Sequence, residues 1–153
     1  MATSMKLLAG GALAFALFAT QAGAQDSLSK EPARQSIKLD AASRALVLVE
    51  MRQFLSGVQQ MTEALSRDDL KTVAQAAHAV GMHAAHEVPD AVKAQLPKEF
   101  KQIGFGVHKD FDQLALDANT LGDGKQAMKQ LSGILQKCVS CHATYQLDVV
   151  AGR

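Results

Sequence analysis

From residue 40 onward, apolar residues recur at alternating three- and four-residue steps, and no stretch of useful length alternates at period two. Leu48, Met51, Leu55, Val58, Thr62 and Leu65 form one such stripe, widened by Val47, Phe54 and Met61. They predict a first helix over 41–66, with Asp40 as its N-cap. After Ser66-Arg67-Asp68, the stripe Leu70, Val73, Ala77, Val80 and Ala84 predicts a second helix over 69–87. Ser66 and Asp69 resemble a capping box, and Gly81 weakens the helix locally. Val88-Pro89 closes it, and 88–96 reads as the longest interior connection. Pro97 suits the first turn of a third helix running to about Thr120, with Phe100, Ile103, Val107, Phe111, Leu114 and Ala118 on its stripe. Gly104 and Gly106 lie inside that helix at a cost of about 1 kcal/mol each relative to Ala. They leave room for a close neighbour. A tight turn at 121–124 leads to a fourth helix, capped at Asp123 and ending near Val149. Its stripe is Met128, Leu131, Leu135, Cys138, His142, Tyr145 and Val149. Four amphipathic helices with three short connections predict an all-α, antiparallel up-down-up-down four-helix bundle.

The first 24 residues have a different pattern. Lys6 is the only charge before Asp26, an apolar run follows from Leu7 to Phe18, and Ala22-Gly23-Ala24 makes a small-x-small cleavage site. This reads as a secretory signal peptide, with an apolar run too short to span about 30 Å of hydrocarbon. The expected organisation is signal peptide 1–24, a polar lead-in 25–39 containing Pro32, and one helical domain 40–153. The whole chain has 16 Lys and Arg against 15 Asp and Glu, so loss of Lys6 leaves balanced charge. Such a chain has no basic face for nucleic acid and no strong field to select a partner.

The chemistry is concentrated in Cys138-Val139-Ser140-Cys141-His142, which holds both cysteines of the chain. C-x-x-C-H is the attachment pattern of c-type haem: two thiols form thioethers to the vinyl groups and the next imidazole reaches the iron. On a helix, Cys138 and Cys141 share a face, and His142 lies one turn on from Cys138. A single covalent haem c is therefore expected, held by Cys138 and Cys141 with His142 as axial ligand. Export agrees with it, because such attachment takes place outside the inner membrane in an oxidising compartment. The competing uses of the motif are a thiol redox pair or a zinc site. A redox C-x-x-C favours a helix N-terminus, whereas this one lies deep in a helical run. Zinc would need two further ligands, which the C-terminal tail does not offer.

With length, four helices and a motif near the C-terminus, the chain resembles the cytochrome c′ family and its low-spin, Met-ligated relatives. Cys138-Val139-Ser140-Cys141-His142-Ala143-Thr144-Tyr145 fits the family's C-x-x-C-H-x-x-Tyr pattern. Gln146 stands where the family commonly has Arg, so no role at that position carries over. The resemblance implies a haem inside the bundle and a distal residue about three turns into the first helix. Met51 falls there and is the candidate sixth ligand, with core packing as its alternative role. Met61 lies about 15 Å further along the axis, and Met128 about 21 Å from His142 on its own helix, both out of reach. His83 and His86, spaced i and i+3, are weaker metal candidates. His78 and His108 read as hydrogen-bonded structural residues. Arg44 and Arg52 read as surface arginines, with pairing to a haem propionate as the alternative.

The expected function is a periplasmic electron carrier with no enzyme activity and redox proteins of the periplasm as partners. The alternative is a five-coordinate haem protein binding NO or CO. Relatives dimerise through their early helices, and the Ala-rich second helix permits a homodimer here.

Overall fold

The computed structural model describes residues 33–150, so the expected signal peptide and most of the lead-in lie outside the described residues. The order is β1 (Gln35–Leu39), α1 (Ala41–Leu65), α2 (Leu70–Ala79), α3 (Met82–Glu87), α4 (Asp90–Gln95), α5 (Lys98–Leu121), α6 (Gly124–Thr144) and β2 (Tyr145–Val149). The chain is mostly helical, as the periodicity predicts. Among the described residues, no helix is long and apolar enough to cross a membrane.

Local signals start and stop the long helices. The Asp40 carboxylate accepts the Ser43 N–H at 2.8 Å and its hydroxyl at 2.6 Å, capping α1. Asp69, rather than a Ser66 capping box, caps α2 by accepting the Thr72 N–H at 3.0 Å. α5 ends at Gly122 with φ +63°, a left-handed conformation that favours glycine. Asp123 then accepts the N–H groups of Lys125 and Gln126 to open α6.

Three expectations need correction. The second helix is not continuous over 69–87 but breaks at Val80-Gly81 into α2 and α3. The freed backbone groups are taken by two side chains of α5, one turn apart. Asp112 accepts the Met82 N–H at 3.0 Å, and His108 Nδ1 donates to the Val80 carbonyl at 2.8 Å. A Cβ on Gly81 would stand 1.9 Å from Asp112 Oδ1, so glycine is what lets α5 come this close. The connection 88–96 contains the short helix α4. The fourth helix ends at Thr144, five residues before the expected limit. Tyr145–Val149 instead pairs in parallel with Gln35–Leu39, so part of the lead-in is a strand. Its alternation is short: only Ile37 and Leu39 turn inward.

Two apolar clusters hold these elements. The larger joins α1, α2, α5 and α6 through Met61, Val73, Phe111, Leu114, Leu131 and Ile134. The smaller gathers Ile37, Leu39, Val47 and Val92, with Met51, Phe100 and Tyr145 packed against it. α1 packs along α2, α2 along α5, and α5 along α6, whereas α1 and α6 meet at few positions.

The Asp40 cap has a consequence in acid. Its hydrogen bonds from the Ser43 side chain and backbone hold the carboxyl at about 2. A depressed folded-state value contributes stability above the ordinary carboxylate range, and that contribution is lost as pH falls toward 2. Asp40→Asn keeps an N-cap but cannot titrate. Urea midpoints taken from pH 5 to pH 2 should fall more steeply for the natural protein than for Asp40→Asn. Parallel curves would show that the cap does not carry this acid sensitivity.

Candidate functional site

Cross-links between helices fix which residues share a height. Lys137 pairs with Asp110, and Gln130 donates to Asp117, so α5 and α6 run antiparallel. Phe100 meets Tyr145 edge-on at 5.5 Å, extending the same register. The Cys138–His142 motif therefore lies opposite the 104–109 stretch of α5. On α1, Glu50 bonds His108, and Phe54 packs on the same imidazole with centroids 4.8 Å apart. Met51 thus stands at the height of His108 and of the motif. Met61 is fully buried about three turns further along, out of register as expected. Met128 is exposed near the start of α6.

The helical faces differ from the expected stripes. On α6 the buried positions are Ala127, Leu131 and Ile134, continued by half-buried Cys138. Met128, Leu135 and His142, expected on the core stripe, are exposed, with Leu135 at 41%. On α1 the buried positions are Ser43, Val47, Gly57, Met61, Ala64 and Leu65. Leu48, Met51 and Val58 are only half-buried, and Leu55 is 70% exposed. Each helix carries more apolar surface than the core uses.

On α1, Gly57 faces Val80 at the end of α2. Phe54 and Val58 pack against the larger cluster and Met51 against the smaller, which leaves half-buried Leu48 and exposed Leu55 as the surplus. Arg44 Nε donates to the Leu147 carbonyl of β2 at 3.1 Å. On α6, Gln130 and Lys137 meet α5, and Met128, Leu135 and His142 lie on the far flank.

The motif itself is accessible and unpaired in sulfur. Cys138 and Cys141 are free thiols, half-buried, and His142 is exposed. Burial pushes both thiols above their ordinary value, and the neighbouring Cys138 adds to the effect at Cys141. That is the opposite of what a dithiol redox centre requires. A Cβ at Gly104 or Gly106 would meet nothing within 4 Å, so neither glycine is demanded by packing. They open on different sides of α5: Gly106 lines the groove against α6, and Gly104 a small pocket with Glu50, Ala85 and His108. A groove of about 880 Å³ between α5 and α6 reaches the motif at Ser140. His142 lies on the opposite flank of α6, so that groove alone does not serve all three motif donors.

The remaining histidines are placed elsewhere. His108 is 3% exposed, with both ring nitrogens engaged, Nδ1 by Val80 and Nε2 by Glu50 Oε1 at 3.2 Å. Burial works against its charge, but the Glu50 and Val80 hydrogen bonds outweigh it and raise its pKa above the ordinary value. His78 and His83 stack at 5.2 Å on the α2–α3 elbow, with His78 3.7 Å from Asp112. His86 is exposed on α3. Among the described residues, no group of three or more His, Cys, Asp or Glu side chains is arranged to hold a metal ion. The sequence reading did not single out Glu50. It connected Gly104 and Gly106 with close approach of a neighbour or a porphyrin, whereas the two glycines open on different sides of α5.

Comparison of the chain with models of known families, with characterised proteins and with solved structures finds no match.

The raised thiol pKa is measurable on protein made in a reducing compartment without haem attachment. Iodoacetamide alkylation of Cys138 and Cys141 followed against pH should have its midpoint above that of glutathione in the same buffer. A midpoint below glutathione would restore the dithiol reading.

Proposed function

We propose that the protein is an exported c-type cytochrome, an antiparallel four-helix bundle of α1, α2, α5 and α6 with one covalent haem, carrying electrons in the periplasm. The observation that carries this reading is the motif on α6, where Cys138 and Cys141 are free, half-buried thiols one turn apart and His142 is an exposed imidazole beside them. Exposed Leu135 continues apolar surface along the same helix, which suits a flat, largely apolar macrocycle.

In this reading Cys138 and Cys141 form the thioethers and His142 is the proximal ligand. Bound there, haem supplies a one-electron ferric–ferrous couple. Exposed Leu55 and Leu135 would exclude water from the group, which limits reorganisation around a changing charge. Met51, at the same height on α1, is the candidate sixth ligand, and a thioether there would favour the ferrous state and raise the potential. Arg44 is engaged by the Leu147 carbonyl rather than free to pair with a propionate. Balanced charge around the site leaves the redox partner unspecified in sign.

One observation favours the second reading, an open-sited haem protein that binds NO or CO. Met51 packs against the smaller cluster, whereas Cys138 packs against the larger. If Met51 stays there, the iron keeps a free position.

The test is protein produced with its export signal and the haem-attachment machinery. Its mass should include one haem, lost from the polypeptide in a Cys138→Ala, Cys141→Ala variant; a mass equal to the bare chain ends the reading. The ferric spectrum should be low-spin with a near-infrared sulfur-to-iron band that Met51→Ala abolishes. A high-spin spectrum that responds to NO or CO selects the second reading. A Cβ at Gly106 meets nothing within 4 Å, so Gly106→Ala should stabilise the polypeptide by about 1 kcal/mol through helix propensity, read as a raised urea midpoint.

A further inference from the structure

We propose that the outer face of α5 around Phe105 docks a partner protein that presents carboxylates around an apolar side chain. The proposal rests on the carrier reading only for the partner's redox role; the docking itself does not need the haem. Lys98, Lys101, Phe105 and Lys109 follow one another at steps of three, four and four residues, so they share one face of α5. Lys98, Phe105 and Lys109 are exposed, and Lys101 is half-buried. Among the described residues, none of these three lysines is in an ion pair. The carboxylates bordering the face are already engaged, Glu50 by the His108 imidazole and Asp112 by the Met82 N–H.

Charge is balanced over the chain but segregated on this helix. The other acids of α5 lie on its opposite flank. There Glu99 and Asp110 line the groove against α6, and Asp117 accepts hydrogen bonds from Gln113 and Gln130. A face with three unpaired lysines attracts an acidic surface and repels a basic one.

Phe105 is the one exposed aromatic side chain among the described residues, at 36%. The core takes Val107, Phe111 and Leu114 from α5 and leaves this ring outside. A pocket of about 50 Å³ opens beside it, walled by Val88, Leu96 and Phe100 together with Lys93 and Lys101. Gly104 lies on the same wall, where a Cβ would meet nothing within 4 Å, so glycine widens the pocket without serving the packing. Lys93 is already paired with Asp90 at 3.5 Å and adds little to the field. A single exposed phenyl ring is ordinary, but an aromatic anchor beside an apolar pocket inside a rim of one charge is how recognition surfaces are built. The lysines steer and orient the partner, and the dry centre holds it.

The face also lies at a useful height. Lys137 pairs with Asp110. Phe105, five residues before Asp110, therefore stands level with His142, five residues after Lys137, on the neighbouring helix. In the carrier reading this keeps the path between partner and haem short.

The experiment uses the full exported protein and a labelled synthetic peptide, rich in Asp and Glu with one central Leu, read by fluorescence anisotropy at low salt. Lys98→Glu/Lys101→Glu/Lys109→Glu should lower the affinity at least about tenfold. Lys71→Glu/Lys125→Glu/Lys129→Glu changes net charge equally at exposed positions near the starts of α2 and α6, and should lower it less than about threefold. Phe105→Ser should lower it about fivefold at low and high salt alike, since it removes an apolar contact. Where charge reversal unfolds the chain, Gln at the same three positions should still lower the affinity about threefold. Equal losses in the two triple variants, no loss in Phe105→Ser, or no binding by the natural protein each overturns the proposal. A natural protein without the mass of haem ends the carrier reading instead and leaves the binding comparison intact.

Discussion

One buried imidazole ties the helices together. His108 gives one hydrogen bond to α1, through Glu50, and one to the backbone at the end of α2, through Val80. Buried polar groups are costly when unpaired, so each of these bonds excludes arrangements in which it is broken. The break between α2 and α3 is one consequence: a carbonyl and an N–H that would have bonded along a continuous helix are instead met by His108 and Asp112. Gly81 makes that approach sterically possible. The outward stripe on α1 is another, because the face bearing Glu50 is committed to α5.

The sequence made visible what depends on near neighbours. Asp40, Asp69 and Asp123 cap three helices within three residues of themselves, and Gly122 ends α5 by its own backbone freedom. The Cys138-x-x-Cys141-His142 motif was equally plain, because it is carried by five consecutive residues. What could not be read depended on partners far along the chain. Gln35–Leu39 and Tyr145–Val149 become strands only by pairing with each other, across more than a hundred residues. The stripes of α1 and α6 were misassigned for a related reason. Each helix has two overlapping apolar stripes, and periodicity scores both alike. On α1 the packed face is the one carrying Phe54, Val58 and Met61, met by residues of α2, α5 and α6 that no window on a single helix contains.

The misassigned stripes are themselves informative. Leu55 and Leu135 would ordinarily sit in a core, and here they are exposed. Exposed apolar surface of this kind can receive a protein partner or, in the proposed reading, an apolar group tethered to Cys138 and Cys141.

In the proposed reading, the position of Met51 decides between the carrier and the open-sited protein. Its height suits ligation, but its packing partners are Ile37, Leu39, Val47 and Val92 rather than the residues around Cys138. The same smaller cluster contains Tyr145 and Leu147, which follow the motif directly. Whatever holds β1 against β2 therefore also holds the end of α6 beside Met51. Met51 and the motif are coupled through a shared patch of apolar contacts at one end of the molecule. In the proposed reading, the strength of an axial thioether would depend less on methionine chemistry than on how firmly the strand pair keeps that patch in place.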